Sequence, residues 1–346
     1  MAVSNKKNLR IAILTPTFFE YSGIDRLVEQ EAINLERSGN KVSIFTFSAT
    51  IKTPVDVFLL GMPNNQILER VYRLLFFLDI LKLMKYTKEL KDYDIVISHF
   101  YPLTILAYFA KKFYKVKYIY HNAGVSYPFL FENVLERIYL VVFRFLNNST
   151  IKNADEIISI SKFLSDELKK ETGLNSRVEY PIIDKCRFKK EISGENVRRR
   201  YNLGKSPIIL FVGRVSPHKG VHILIESFKL AKKKIGNLKL IIVGKLTFSG
   251  YYKRLMKIAE DFSNDIIFAG VVSDSDLPEY YSACNVYASA SLWEGYNLPL
   301  AEAQACGKPV IAFNLCSHPE VVKNGILVKP RELREFADAI VRLLKK

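Results

Sequence analysis

Along the chain, short runs of consecutive apolar residues alternate with longer stretches in which apolar residues recur every three or four positions. The runs fall at 11–14, 42–47, 95–98, 118–120 and 157–160 in the first half. In the second half they fall at 208–212, 240–243, 266–268, 286–288, 310–313 and 326–328. Runs without polar alternation suit strands covered on both faces, so they predict parallel strands. The helical period marks 26–37, 161–170, 223–234, 251–262 and 332–344 between them. Repeated strand–helix alternation predicts α/β architecture with doubly wound parallel sheets. Segment 180–194 carries Pro181, several charges and little periodicity, and a new strand–helix series starts near Pro207. Two similar α/β halves are expected, residues 1–184 and 185–346.

Composition narrows the class. The 346 residues are 49% hydrophobic and 25% charged, which excludes a disordered or fibrous chain. Lys and Arg number 51 against 35 Asp and Glu, a formal net charge of +16. The excess is uneven: 24 against 20 in residues 1–184 and 27 against 15 in residues 185–346. Such an excess attracts polyanions, whether nucleic acid, anionic lipid or phosphorylated substrates. Cys186, Cys284, Cys306 and Cys316 show neither C-x-x-C spacing nor a zinc pattern, which fits a reducing compartment. The polar residues 1–10 hold no signal-peptide core, and the richest apolar stretch, 74–81, is interrupted by Asp79. A cytoplasmic protein that does not cross the membrane is expected.

Two constellations carry chemistry. Gly213-Arg214-Val-Ser-Pro-His-Lys219-Gly220 follows the apolar run 208–212 and precedes a helical pattern. A strand, a glycine-containing loop and a helix N-terminus form an anion site, and Arg214 and Lys219 add the cations that two adjacent phosphates need. Trp293-Glu294-Gly295-Tyr296-Asn297-Leu298-Pro299-Leu-Ala-Glu302 follows the run 286–288, with Pro299 marking a helix start. A carboxylate beside such a start can accept vicinal ribose hydroxyls, and a second can address a sugar hydroxyl. Taken singly, each motif also reads as a solvated basic turn or as surface glutamates favoured by the helix dipole.

Together, Gly213-Arg214…Lys219-Gly220, Glu294-x7-Glu302 and Ala-Cys306-Gly-Lys-Pro-Val310 resemble the retaining glycosyltransferases of family 4. The resemblance implies the GT-B fold, two Rossmann-like domains facing a cleft, with the second domain holding a nucleotide-sugar donor. It implies that Arg214 and Lys219 hold the donor diphosphate and that Glu302 binds the ribose. It puts Glu294 at the transferred sugar as a catalytic residue, Tyr296, Asn297 and Leu298 at the sugar and distal phosphate, and Val271 and Val272 beside the base. In the first domain it implies Gly23 at the phosphate and acceptor, and His121 as a second catalytic residue near the transferred sugar. His99, also at a strand end, is left as structural or acceptor-side. Two departures stand out. Ser22-Gly23 replaces the usual glycine pair, and Asn314-Leu-Cys-Ser-His318-Pro-Glu320 replaces a Gly-Gly segment.

The implied reaction moves a hexose-type sugar to a hydroxyl, with retention and without cofactor or metal. Asp274-Ser-Asp276 reads as a helix cap and not as a metal-binding Asp-x-Asp. The apolar-basic stretches 70–85 and 134–145 fit interfacial helices. They point to peripheral contact with an anionic membrane and a glycan, glycolipid or lipid-linked acceptor, and leave nucleic acid the least supported partner. A non-catalytic partner subunit or a sugar-nucleotide epimerase would share the fold. A dehydrogenase is disfavoured because no G-x-G-x-x-G follows a strand run.

Overall fold

A computed structural model describes residues 8–20, 23–131, 133–246 and 248–345. The chain divides into two compact units, Met1–Tyr180 and Pro181–Lys346, inside the segment expected to separate them.

The first unit is built on strands β1 (Arg10–Leu14), β2 (Thr17–Phe18), β3 (Lys41–Thr46), β4 (Ser48–Ala49) and β5 (Asp56–Leu59). Strands β6 (Ile95–Ser98), β7 (Lys117–Asn122), β8 (Glu156–Ser159) and β9 (Arg177–Val178) complete it. Seven of them form one parallel sheet in the order β5-β3-β1-β6-β7-β8-β9, while β2 and β4 pair separately. The helices are α1 (Gly23–Arg37), α2 (Gln66–Leu75), α3 (Ile80–Glu89), α4 (Thr104–Tyr114), α5 (Val134–Ile151) and α6 (Lys162–Thr172). Successive strand residues point to opposite faces. Ala12, Leu14, Val96 and Tyr118 therefore enter one core, and Ile11, Ile13, Ile97 and Ile119 enter the core on the other face. That double burial is why the strands read as unbroken apolar runs.

The second unit repeats the plan with a six-stranded sheet in the order β12-β11-β10-β13-β14-β15. Its strands are β10 (Ile208–Val212), β11 (Lys239–Val243), β12 (Ile266–Gly270), β13 (Val286–Ser289), β14 (Val310–Phe313) and β15 (Gly325–Val328). Its helices are α7 (Glu195–Arg200), α8 (Val221–Lys232), α9 (Ser249–Ala259), α10 (Leu277–Ala283), α11 (Leu298–Ala305), α12 (His318–Val321) and α13 (Leu333–Leu344). Phe211 and Ile242 face one core, and Leu210 and Ile241 the other.

Three local features differ from the sequence reading. β5 is an additional edge strand; its sequence holds an apolar run at 57–60 like the others, although Phe58 and Leu59 stay exposed. The stretch 70–85 is not one helix, because Asp79 caps α3 by accepting the Lys82 N–H at 3.1 Å. Asp276 does not cap α10 through its side chain; instead Ser273 Oγ accepts the Asp276 N–H at 3.1 Å. At the start of α6, Ser161 Oγ caps the helix by accepting the Leu164 N–H at 3.1 Å. Among the described residues no helix is long and apolar enough to cross a membrane.

Candidate functional site

In an open parallel sheet, ligands bind beyond the carboxyl ends of the strands where the strand order reverses. In the second unit that point lies between β10 and β13, which pair in parallel although β11 and β12 intervene in the chain. Both sequence constellations follow these two strands. The 213–220 loop leaves β10 and the 290–297 loop leaves β13, and the backbone ties them together where Leu292 N–H donates to His218 O at 2.8 Å. Gly220 is required at this contact: its φ is +64°, and a Cβ there would lie 1.9 Å from Ala290 O.

Lys219 and Glu294 meet across the two loops. Lys219 Nζ donates to both carboxylate oxygens at 2.7 Å, with the two side chains 17% and 10% exposed. An ammonium has three donors, so this bidentate pair leaves one for a ligand oxygen. Arg214 lies exposed on the same loop. His218 is buried, and burial, followed by Lys219 and Arg214, pushes its imidazole well below the ordinary value. The positive character of the loop therefore rests on Arg214 and Lys219. The α8 terminus offers less than a full set of free N–H groups. The Gly220 N–H bonds Pro217 O, and the His222 N–H is taken by the Tyr251 hydroxyl.

Glu302 sits one turn into α11, where the buried Tyr281 hydroxyl donates to its Oε2 at 2.6 Å. Burial and Glu302 raise the Tyr281 phenol well above its ordinary value, which keeps the proton in place for this bond. The Tyr287 phenol is likewise raised, by burial and then by Glu294 and Glu302, so one β13 side chain feels both glutamates. Asn297 starts α11 in the left-handed conformation, φ +64° and ψ +66°, which Asn tolerates better than most residues. Its Nδ2 donates to Ser289 Oγ at 3.0 Å and to His318 Nε2 at 2.9 Å, and His318 Nδ1 bonds Phe313 O at 2.8 Å. Ser317 Oγ donates to Glu294 O at 3.1 Å.

The segment that departs from the family's glycine pair thus grips the Glu294–Asn297 loop from below with Ser317 and His318. Neither residue was read from the sequence as functional; their bonds cross more than twenty positions, beyond any local spacing. Tyr296 and Leu298 are half-buried beside Asn297. Val271 and Val272 follow the edge strand β12 and not the strands at the reversal; Val271 is exposed, and Val272 packs on the core.

The first unit has its own reversal, between β1 and β6. Gly23 opens α1 and is exposed; its neighbour Ser22 lies outside the described residues. Asp25 ties the preceding loop down by accepting the Phe19 N–H at 2.8 Å. His121, near the carboxyl end of β7, does not stand alone. Its Nδ1 lies 3.1 Å from Oε1 of Glu31 on α1, and His99 Nε2 lies 3.1 Å from Oε2 of the same carboxylate. The two imidazole rings meet edge to face at 5.3 Å. Burial alone would raise the Glu31 carboxyl, but the charge and hydrogen bonds of His121 and His99 hold it well below the carboxylate range. Burial pushes the His99 imidazole down, against the pull of Glu31. Among the described residues this is the one group whose ligand atoms, all within 4.8 Å of one another, could hold a metal ion. Hydrogen bonding at 3.1 Å accounts for its geometry without one.

Comparison with known proteins agrees with this layout. The family described as "Glycosyltransferase Family 4" matches residues 21–184, and "Glycosyl transferases group 1" matches residues 193–346. A GDP-mannose-dependent alpha-(1-6)-phosphatidylinositol monomannoside mannosyltransferase of Mycobacterium tuberculosis is 29% identical over 205 residues, 55% of this chain and 52% of that protein. The O-antigen chain mannosyltransferase B of Escherichia coli is 29% identical over 154 residues, 43% of this chain and 40% of its own length. In such alignments the chain spans about half the length of the curated relatives it matches. Among solved structures, Anabaena Alr3699/HepE in complex with UDP and glucose superposes with a TM-score of 0.78 at 21% identity, covering 98% of this chain and 90% of that one. WaaG, a glycosyltransferase involved in lipopolysaccharide biosynthesis, gives 0.77 at 17% identity, covering 97% and 90%. With one family match on each unit and the fold shared along nearly its whole length, this chain belongs to the family 4 glycosyltransferases and has their GT-B fold.

Proposed function

We propose that the protein transfers a hexose-type sugar from a nucleoside-diphosphate sugar to a hydroxyl of a glycan, glycolipid or lipid-linked acceptor, with retention of anomeric configuration and without a metal. The observation that carries this reading is the meeting of Lys219 and Glu294 at the strand-order reversal of the second unit, with Glu302 one turn into the adjoining helix. Arg214 and Lys219 neutralise the diphosphate as the bond from the sugar C1 to its oxygen breaks, and charge stabilisation of this kind is a large part of catalysis. Glu302, steadied by Tyr281, accepts the ribose hydroxyls. Glu294 and the turn at Asn297 and Leu298 hold the sugar, with Tyr296 beside them, and Val271 and Val272 flank the base. The acceptor oxygen bonds to C1 on the face the diphosphate leaves, and its proton passes to a diphosphate oxygen. His121 serves the transferred sugar, and Gly23 permits close approach at the start of α1.

The names of the relatives support a membrane-linked acceptor, and so does the surface of the first unit. Helices α2, α3 and α5 expose Ile67, Leu81, Met84, Leu135 and Phe145, each more than 65% accessible. Arg70 pairs with Glu136, which places α2 against α5. Exposed Lys85 and Arg137 stand among these side chains, the mixture that suits an anionic lipid surface. Co-sedimentation with vesicles should therefore rise with phosphatidylglycerol content and fall with salt. Equal binding to neutral vesicles, or salt-insensitive self-association instead, would remove the membrane reading.

Donor binding is tested by thermal shift with UDP-, GDP- and ADP-sugars. A ligand at a hundred times its Kd stabilises the native state by about 2.7 kcal/mol, which corresponds to a rise in Tm of roughly 5 °C or more for units of this size. At least one nucleotide sugar should do so; no shift with any of them would count against the reading.

A further inference from the structure

Helix α1 packs Val28, Ala32 and Leu35 against the sheet. Glu31 lies on that same buried face, at 7% exposure, where the helical pattern calls for an apolar side chain. A lone carboxylate in that position is unfavourable. Here it is compensated by two imidazoles from two neighbouring strands, His99 directly after β6 and His121 on β7. Buried charge clusters can commonly be replaced by apolar residues of similar volume without loss of stability, so packing alone does not account for this one. Local rules broken inside a core tend to mark functional sites.

The donor and acceptor roles follow from the chemistry. An ionised carboxylate only accepts hydrogen bonds, so at 3.1 Å each facing imidazole nitrogen carries its proton toward Glu31. His99 then presents Nε2–H and His121 presents Nδ1–H. With Nδ1 committed, Nε2 is the atom left on His121 for a substrate. The second bond, from His99 to the other oxygen, holds the carboxylate against rotation.

We infer that Glu31 is a positioning residue for His121, fixing Nδ1 as its inward protonated nitrogen and the ring in one orientation, with His99 bracing Glu31 from the other side. The inference rests on the role proposed above for His121 in sugar transfer. It does not require a metal, and the ring nitrogens can be read directly.

The test combines nitrogen-15 NMR of the histidine rings with a double-mutant cycle. In the wild-type protein, the His121 Nδ1 signal should be that of a protonated nitrogen bonded to a carboxylate. In Glu31→Gln that single pattern should be lost. Steady-state transfer should show kcat reduced roughly 10-fold or more by Glu31→Gln, the scale expected when a reacting group is mispositioned, with the donor KM unchanged. In a His121→Ala background, Glu31→Gln should lower kcat no further, because coupled residues are not additive. A wild-type His121 protonated on Nε2 alone would overturn the proposal, as would an equal kcat loss with and without His121. If His121→Ala transfers at the wild-type rate, the role given to His121 is refuted, and so is any part for Glu31 in transfer. The ring signal would still report whether Glu31 orients it, so the two claims fail separately.

Discussion

Glu294→Ala should abolish sugar transfer, lowering kcat/KM by about 10³-fold, the upper range for removing one preorganised electrostatic group, while leaving nucleoside-diphosphate affinity intact or raised. The split follows from the ion pair. Glu294 occupies two donors of Lys219, at 2.7 Å each. Removing the carboxylate takes away a group assigned to the sugar and releases an ammonium assigned to the phosphates. Calorimetric titration with the nucleoside diphosphate and a transfer assay with the full donor read the two halves separately. Parallel loss of both would show that Glu294 supports the architecture of the loop; full activity would remove it from the site. The Ser317 Oγ bond goes to the Glu294 backbone oxygen and survives the change, so the loop keeps that anchor.

Lys219→Met is expected to weaken nucleotide binding as well as transfer. Losing a charge-assisted hydrogen bond to phosphate is worth about 1.5–3 kcal/mol, so nucleoside-diphosphate affinity should fall roughly 10- to 100-fold. The unphosphorylated nucleoside should bind as before. The variant also leaves Glu294 without its cation in a site where that side chain is only 10% exposed, so Tm should fall as well, since breaking one half of a buried pair is costly. Equal weakening of nucleoside and nucleoside diphosphate would mean that Lys219 shapes the pocket without touching phosphate.

The parts of this molecule that were legible in the sequence are those set by neighbours in the chain. Eleven apolar runs mark main-sheet strands because residues such as Ile11 and Ala12 are buried on opposite faces of one sheet. The two motif loops were found because a strand, a glycine and a helix start are contiguous. Edge strand β5 carries a legible apolar run at 57–60 that the reading passed over, and the exposure of Phe58 and Leu59 shows that such a run does not by itself mean burial on both faces. The interruption between α2 and α3 was missed because one residue, Asp79, turns an apolar pattern into two helices.

Contacts between distant positions were illegible. Lys219 and Glu294 were each recognised as facing a ligand, but not as partners 75 positions apart. Glu31 carries no local signal, since only the sheet brings it to His99 and His121. Cys316, Ser317 and His318 registered only as missing glycines. In the fold, Ser317 and His318 supply hydrogen bonds to Glu294 and Asn297, so the departure from the family pattern carries its own support for the same loop.

The proposed transfer of a sugar from a nucleotide to a membrane-associated acceptor is tested most directly by incubating the protein with radiolabelled UDP- and GDP-sugars and a membrane extract. With the wild-type protein, label should leave the nucleotide and appear in lipid-extractable or glycan product; with Glu294→Ala it should stay on the nucleotide. Donor binding without transfer of label in every extract tried would contradict this reading and favour a non-catalytic partner subunit.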